Sequence, residues 1–312
     1  MANPTLSPSA SRAPRAIYAT RGVHTLVWMA ALALIGGCAR QPEAPVLAPL
    51  RADVVAITAA RLDALLPVEV LLLGEQHDAA EHHRIEQQVI ALLAARGLLA
   101  AVALEMADAG ASTATLQPSA TELQTQRALN WDEQGWPWEA YGPAVMTAVR
   151  ADVPVLGVNL PAAQMRGRMA DATLDVQLPG PALKAQQQLI RTGHCNMLPE
   201  SQITPMTRIQ IAKDIRMAEA LSQAVLPGKV VVLLTGSGHA DKTLGVPQHL
   251  PPNIQSKAVL MQSGQAPQAI KNIADFDAVW VTAPVPDVDY CEKFKSQIDK
   301  MGQSDRAGQM GR

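Results

Sequence analysis

Four separate apolar runs in this chain stop at a polar or titratable residue, and that repetition constrains the fold more than any other feature. Val68 to Leu73 is followed by Gly74, Glu75 and His77. Leu98 to Leu104 ends in Glu105-Met106, and Val153 to Val158 ends in Asn159. Val230 to Leu234 leads into Thr235-Gly-Ser-Gly-His239. Short continuous apolar runs rich in valine and leucine suit strands buried on both faces. Between them lie stretches with helical spacing. The first carries Ile85, Val89, Leu92 and Leu93 and stops at Gly97. Strands alternating with helices predict a single α/β domain, with a mainly parallel, twisted sheet and helices on both faces. In such a sheet ligands bind outside the carboxyl ends of the strands, where these polar residues fall.

The N-terminal part reads differently. Arg12, Arg15 and Arg21 precede an apolar run from Thr25 to Leu34, then Ile35-Gly36-Gly37-Cys38. A run of about ten residues is too short to span the roughly 30 Å core of a bilayer as a helix, and it fits the core of an export signal. Small residues directly before a cysteine resemble the lipobox of bacterial lipoproteins. That resemblance implies a signal peptide over 1–37, acylation of Cys38 and a Pro-rich tether over 38–55. Because Ala39 rather than aspartate follows the cysteine, it also implies retention at the outer membrane, facing periplasm or cell surface. The folded domain is then expected over 56–290 and a flexible tail over 291–312. In an oxidising compartment the other two cysteines, Cys195 and Cys291, are expected to form a disulfide. A formal net charge of −2 gives no basic excess to suggest nucleic acid.

Smaller expectations follow along the chain. Gly74 should end the first strand. Asp78 and Glu81 stand at capping-box spacing, so Asp78 should start the first helix. Arg61 to Leu66 reads as a short helix or turn, and Pro137 opens a helix running to Arg150. Asn159-Leu-Pro161 turns into a helix carrying Arg166 and Arg168. Ala182 to Arg191 is helical, Thr204 to Val225 is a long helix, and Ala258 to Met261 and Ala278 to Thr282 are two further strands.

If the four strands are neighbours, Glu75, His77, Glu105, Asn159 and His239 converge. Two carboxylates and two imidazoles are enough to bind a divalent metal such as Zn²⁺ or Mn²⁺, or to run general acid–base chemistry. One alternative function is therefore a metal-dependent hydrolase using Glu75, His77, Glu105 and His239. The loop Thr235-Gly-Ser-Gly-His239 matches neither a Walker sequence nor the full dinucleotide pattern. Of His82 and His83, one is expected to reach the crevice and the other to face solvent. Of ten aromatic residues, Tyr18 and Trp28 lie in the leader. Four of the other eight, Trp131, Trp136, Trp138 and Tyr141, fall between 131 and 141. They either fill a small core or receive a large planar ligand. In the second reading Tyr141 supplies a tyrosinate oxygen to haem iron, and Arg166 or Arg168 pairs with propionates.

Taken together and in order, several short motifs resemble the ChaN-like haem-binding lipoproteins of the Tiki/TraB and erythromycin-esterase-like superfamily. They are Leu-Leu-Gly-Glu-Gln-His-Asp78, Glu81-His-His83, Leu104-Glu-Met106, Trp138-Glu-Ala-Tyr141, Gly157-Val-Asn-Leu-Pro161, Gly236-Ser-Gly-His239 and Gly245-Val-Pro247. They span roughly residues 60 to 250. The resemblance implies an α/β sandwich, haem bound at a homodimer interface, and haem or iron uptake at the outer membrane with a receptor there as partner. It implies Tyr141 as iron ligand with a nearby histidine assisting, His77, His83 and His239 competing for that role, and Glu75, Glu105, Asn159 and Arg166 around the pocket. The wider superfamily also contains hydrolases whose glutamates and histidines match Glu75, His77, Glu105 and His239.

Overall fold

Alternate residues of the first strand pack into two different cores, which sets the layering of the domain. A computed structural model describes residues 52–264, 273–286, 288–292 and 294–295, all within one compact unit, Leu50–Arg312. The expected signal peptide and Cys38 lie outside these residues, as does 296–312 of the expected tail. In strand β1 (Val70–Glu75), Leu71 and Leu73 face one core while Val70 and Leu72 face the other. Strand β2 (Leu99–Asp108) divides in the same way, Val102 and Leu104 against Ala101 and Ala103. So does strand β4 (Val230–Gly236), Val232 and Leu234 against Val231 and Leu233. With both faces apolar, the strands read as unbroken hydrophobic runs.

Strands β3 (Val155–Asn159), β5 (Ser256–Ser263) and β6 (Ala278–Thr282) complete a six-stranded sheet in the order β3-β2-β4-β1-β5-β6. Every pairing is parallel. The first core is covered by helix α2 (Ala80–Ala95) and helix α4 (Trp138–Arg150). Helix α1 (Ala52–Asp63) packs on α2, and helix α3 (Glu122–Ala128) packs on α4. The opposite face carries helix α7 (Glu200–Ala224), whose Met217, Ala218 and Leu221 enter the second core. Helix α5 (Ala162–Ala170) and helix α6 (Gly180–Gly193) lean on α7 through a third, smaller cluster around Leu160 and Ile211.

Two local expectations are corrected. Gly74 does not end β1. It pairs with Thr235 on β4 and Leu260 on β5, and Glu75 still pairs with Gly236. Glycine is needed at 74 because a Cβ there would lie 2.8 Å from the Ala240 Cβ and 3.0 Å from the Val259 carbonyl oxygen. Nor does Asp78 cap α2. The N-cap is Ala79, with no side-chain cap bond. The two acids are engaged elsewhere: Glu81 accepts the backbone N–H of Ala283 at 2.8 Å, and Asp78 accepts the Tyr290 hydroxyl. The segment after β6 thus lies over the start of α2. The Arg61–Leu66 element proves to be the end of α1, which begins at Ala52.

The expected disulfide between Cys195 and Cys291 is present, with the Cα atoms 5.6 Å apart and the cysteines separated by 96 positions in sequence. Residues 290–292 and 294–295 around it are helical. A loop of that size contributes about 4–5 kcal/mol in the chain-entropy picture, and native bridges typically deliver about 2–4 kcal/mol. Replacing both cysteines by serine is expected to lower the unfolding free energy by about that amount, read as a lower urea midpoint that reductant no longer changes.

Candidate functional site

The side-chain alternation that builds the two cores also sends the two strand-end carboxylates to opposite faces. Glu75 follows Leu71 and Leu73 toward α2 and α4. Glu105 follows Ala101 and Ala103 toward α7. Each is buried, and each has its own set of partners.

Glu75 is 1% exposed. Its Oε1 accepts the Nδ1–H of His77 at 2.7 Å and the hydroxyl of Tyr141 at 2.9 Å. His83 Nε2 stands 3.1 Å from Oε2, out of line for a hydrogen bond. Burial alone would raise the Glu75 pKa, but the bond and charge of His77, with His83 close by, outweigh it and bring it down to about 2. For His77 burial works downward, and it is overcome by the bond to Glu75 and the charges of Glu105 and Glu75, so the ring pKa is raised. The His77 side chain is 39% exposed. Its Nε2 has no hydrogen-bond partner among the described residues. The ring lies over the end of β4, where a Cβ on Gly236 would be 2.8 Å from Nε2 and 3.7 Å from Glu105 Oε2. Glycine at 236 is therefore what allows an imidazole from the β1 side to see the carboxylate on the α7 side.

Glu105 takes three donors. Oε2 accepts the Thr235 hydroxyl at 2.7 Å and the Gly236 N–H at 2.8 Å, while Oε1 lies 3.3 Å from His239 Nε2. The other ring nitrogen of His239 is 2.5 Å from Asp214 Oδ1 on α7. Burial pushes the His239 pKa down, but the charges of Glu105 and Asp214 on either side raise it to about 10. The ring is therefore a buried imidazolium between two acids. Burial raises the Glu105 pKa less than the charge and bond of His239 lower it, so this carboxylate stays well below its ordinary range. Asp214 goes the other way, to about 6, because burial outweighs the help from His239.

These sets separate the residues expected to act together. His77, Glu75, Glu105 and His239 stand at neighbouring strand ends, but as two ion-paired groups on opposite faces bridged by the open ring of His77. Among the described residues no group of three or more His, Cys, Asp or Glu side chains is arranged to hold a metal ion. Asn159 lies at the end of β3, three strands from β1, and its Oδ1 is turned back to the N–H of Leu160 at 2.8 Å. Arg166 is exposed on α5, which packs on α7. Arg168 pairs with Asp171.

The histidines on α2 are both buried, contrary to the expectation that one faces solvent. His82 accepts the Gln76 N–H on Nδ1 at 3.0 Å and meets the Thr282 hydroxyl through Nε2 at 2.9 Å. Burial lowers its pKa to about 4, so it stays neutral. His83 rests on Tyr141, with ring centroids 4.7 Å apart.

The aromatic cluster mainly fills the core around Tyr141. Trp131 and Trp136 have ring centroids 6.0 and 5.9 Å from Tyr141, and Trp138 stands edge-on to Trp131 at 5.0 Å. Trp136 also reaches the edge of His77, at 4.9 Å. The phenol expected to ligate iron is 1% exposed and bonded to Glu75. Burial, followed by the charge of Glu75, pushes its pKa upward, so the hydroxyl keeps its proton.

Two buried groups escaped the sequence reading: Asp214 and Glu86. Asp214 sits on the stripe of Ile211, Ala218 and Leu221, and Glu86 sits with Val89, Ile90 and Leu93. A charge at helical spacing on an apolar stripe was the available signal.

The site is thus a parallel α/β sheet end with one open imidazole backed by a buried carboxylate, and the comparisons place it in a known class. Residues 61–250 match the family described as haem-binding uptake, Tiki superfamily, ChaN, and the chain belongs to that family. A solved structure titled cofacial heme binding to ChaN of Campylobacter jejuni aligns at 26% identity and a TM-score of 0.60, covering 71% of this chain and 90% of that one. The type III effector HopBA1 aligns at 15% identity and a TM-score of 0.43, over 73% of this chain and 94% of that one. A search of curated proteins finds no match.

The two ion-paired sets give opposite pH limits. The lowered pKa of Glu75 adds stability that is complete above about 4.5 and lost as pH falls through about 2. The raised pKa of His239 adds stability that is complete below about 6.5 and lost as pH rises through about 10. Urea midpoints are expected to fall as pH is raised from 6.5 toward 10. In His239→Gln the unfolding free energy should be lower throughout, by about 3–5 kcal/mol for a broken buried pair, and the alkaline decline of the midpoint should be gone.

Proposed function

We propose that this domain binds haem through His77, and that the chain, acylated at Cys38, serves haem or iron acquisition at the outer membrane. Family membership supports haem as the ligand class, as does the similar Campylobacter protein, whose title names cofacial heme binding. The observation that carries the residue assignment is the open Nε2 of His77, with Nδ1 held on Glu75 at 2.7 Å. An imidazole whose far nitrogen donates to a carboxylate is fixed in one tautomer and made a stronger donor to metal. The other three histidines of the region do not offer this. His82 and His239 are buried with both nitrogens engaged, and His83 is buried against Glu75.

When bound, ferric haem supplies a coordination position that takes a neutral imidazole nitrogen or a phenolate oxygen. The protein's own part is to present His77 unprotonated at Nε2, with the flat edge of Trp136 beside it. Tyr141 takes a supporting role in this reading: its hydroxyl steadies Glu75, and its proton is not released. Arg166, exposed on α5, remains the expected propionate partner, with a second copy of the chain around the haem. The lipid anchor and a receptor partner follow from the lipobox and the family and belong to the same proposal.

Haemin titration of the domain, followed in the Soret band, tests the assignment. Saturable binding is expected. His77→Ala should weaken it by at least tenfold and change the ligand-sensitive bands, whereas Tyr141→Phe should keep the bands of the parent. Because the His77 pKa is raised, protons compete with iron for Nε2, and affinity should fall as pH drops below that pKa. Bands lost with Tyr141→Phe and kept with His77→Ala would overturn the assignment and return the ligand to the phenol.

A further inference from the structure

Next to Glu75 lies a second carboxyl that the haem reading does not use. Glu86 is fully buried on α2, one turn after His83. Neither of its oxygens has a hydrogen-bond partner among the described residues, and the same holds for Glu75 Oε2. Yet Glu86 is within hydrogen-bonding reach of Glu75. Two buried carboxyls within reach of each other, with three unpartnered oxygens and His83 Nε2 out of line beside one of them, are poorly accommodated as two bare carboxylates. One proton placed between them satisfies both acids at once.

We infer that Glu86 is a neutral carboxylic acid that donates its proton to Glu75 and acts as the positioning residue that fixes the carboxylate holding His77. The proton belongs on Glu86 because the donors are unevenly shared. Glu75 has the Tyr141 hydroxyl and the His77 N–H on Oε1, and His83 close to Oε2. Glu86 has none of these. Two acids this close in apolar surroundings cannot both ionise, and the one with fewer donors keeps the proton. Burial and the charge of Glu75 push Glu86 well above the ordinary carboxylate range, in the same sense. The titratable groups around it are Glu75 from β1, Tyr141 from α4, and His82 and His83 on its own helix. Tyr141 is itself raised in part by Glu86. With Oε2 tied to Glu86, Glu75 cannot swing, and Oε1 stays aimed at His77 and Tyr141.

This inference concerns the group behind the proposed haem ligand, and its test is run without haem, so the two readings fail separately. Infrared spectra of the ligand-free domain near neutral pH should contain the carbonyl stretch of a protonated carboxylic acid. That band should vanish in Glu86→Gln. The downfield N–H proton resonance of His77 bonded to Glu75 should persist in Glu86→Gln, whose amide donates the same bond, and be lost in Glu86→Leu, which fills the space without a donor. Absence of the protonated-acid band from the parent overturns the proposal. So does a His77 resonance that Glu86→Leu leaves in place. Should Glu86→Leu fail to fold, the band and its loss in the isosteric Glu86→Gln decide the matter.

Discussion

A carboxylate with 1% exposure at the end of a central strand is costly to keep ionised, and the surrounding architecture supplies what it needs. An ionised carboxylate taken out of water loses several kcal/mol even after relaxation, and regains it only from well-placed donors. Glu75 receives them from two elements, His77 in the turn after β1 and Tyr141 on α4, while α2 sets the His83 ring 3.1 Å from Oε2. The packing of α2 against α4 on one face of the sheet is thereby joined to the end of β1 by polar bonds as well as by the apolar core. The tryptophans of residues 131–138 fit the same scheme. They wall Tyr141 in, so its hydroxyl has one direction to point.

On the other face a second solution to the same problem stands a strand away. Glu105 is kept ionised by an imidazolium, a hydroxyl and a backbone N–H, and His239 is kept charged by two acids. This set is closed: each ring nitrogen of His239 is occupied, and it ties α7 to β2 and β4. The first set is open at one atom, Nε2 of His77. That difference separates a structural tie from a site. It rests on Gly236, because any side chain there would occupy the space of the imidazole ring.

The strands were legible because burial on both faces leaves an unbroken apolar run, and parallel pairing follows from the helices between them. Strand order was not legible: nothing local to Val230–Gly236 says that it inserts between β1 and β2. The polar ends of β1, β2 and β4 were found from sequence, but not their division between two faces. That division depends on the register of each strand against the sheet, and Gly74 hid it by continuing β1 where a stop was expected. Asp78 and Glu81 had the spacing of a capping box, yet a distant segment claimed both, through Tyr290 and the N–H of Ala283. Cys195 and Cys291 were paired correctly from compartment and count alone. Glu86 and Asp214 were missed because an apolar stripe was read past the charges embedded in it.

The choice between phenol and imidazole as the iron-facing group follows from the same carboxylate. Glu75 lies within hydrogen-bonding distance of both Tyr141 and His77. A phenolate at 141 would set a second negative charge against it in a space water does not enter, which is why the phenol is pushed up rather than down. Imidazole responds in the opposite sense. Its Nδ1–H gains a strong acceptor, its ring gains electron density, and Nε2 becomes the better ligand for a metal, on a side chain that is 39% exposed. The proton on Glu86 enters here as well, since a second ionised carboxylate would raise both pKa values and hold His77 protonated, closing the one nitrogen that is open. Haem binding in the proposed sense therefore depends on Glu75 being ionised and Glu86 being neutral together. A single charge supports the imidazole, and two would protonate it.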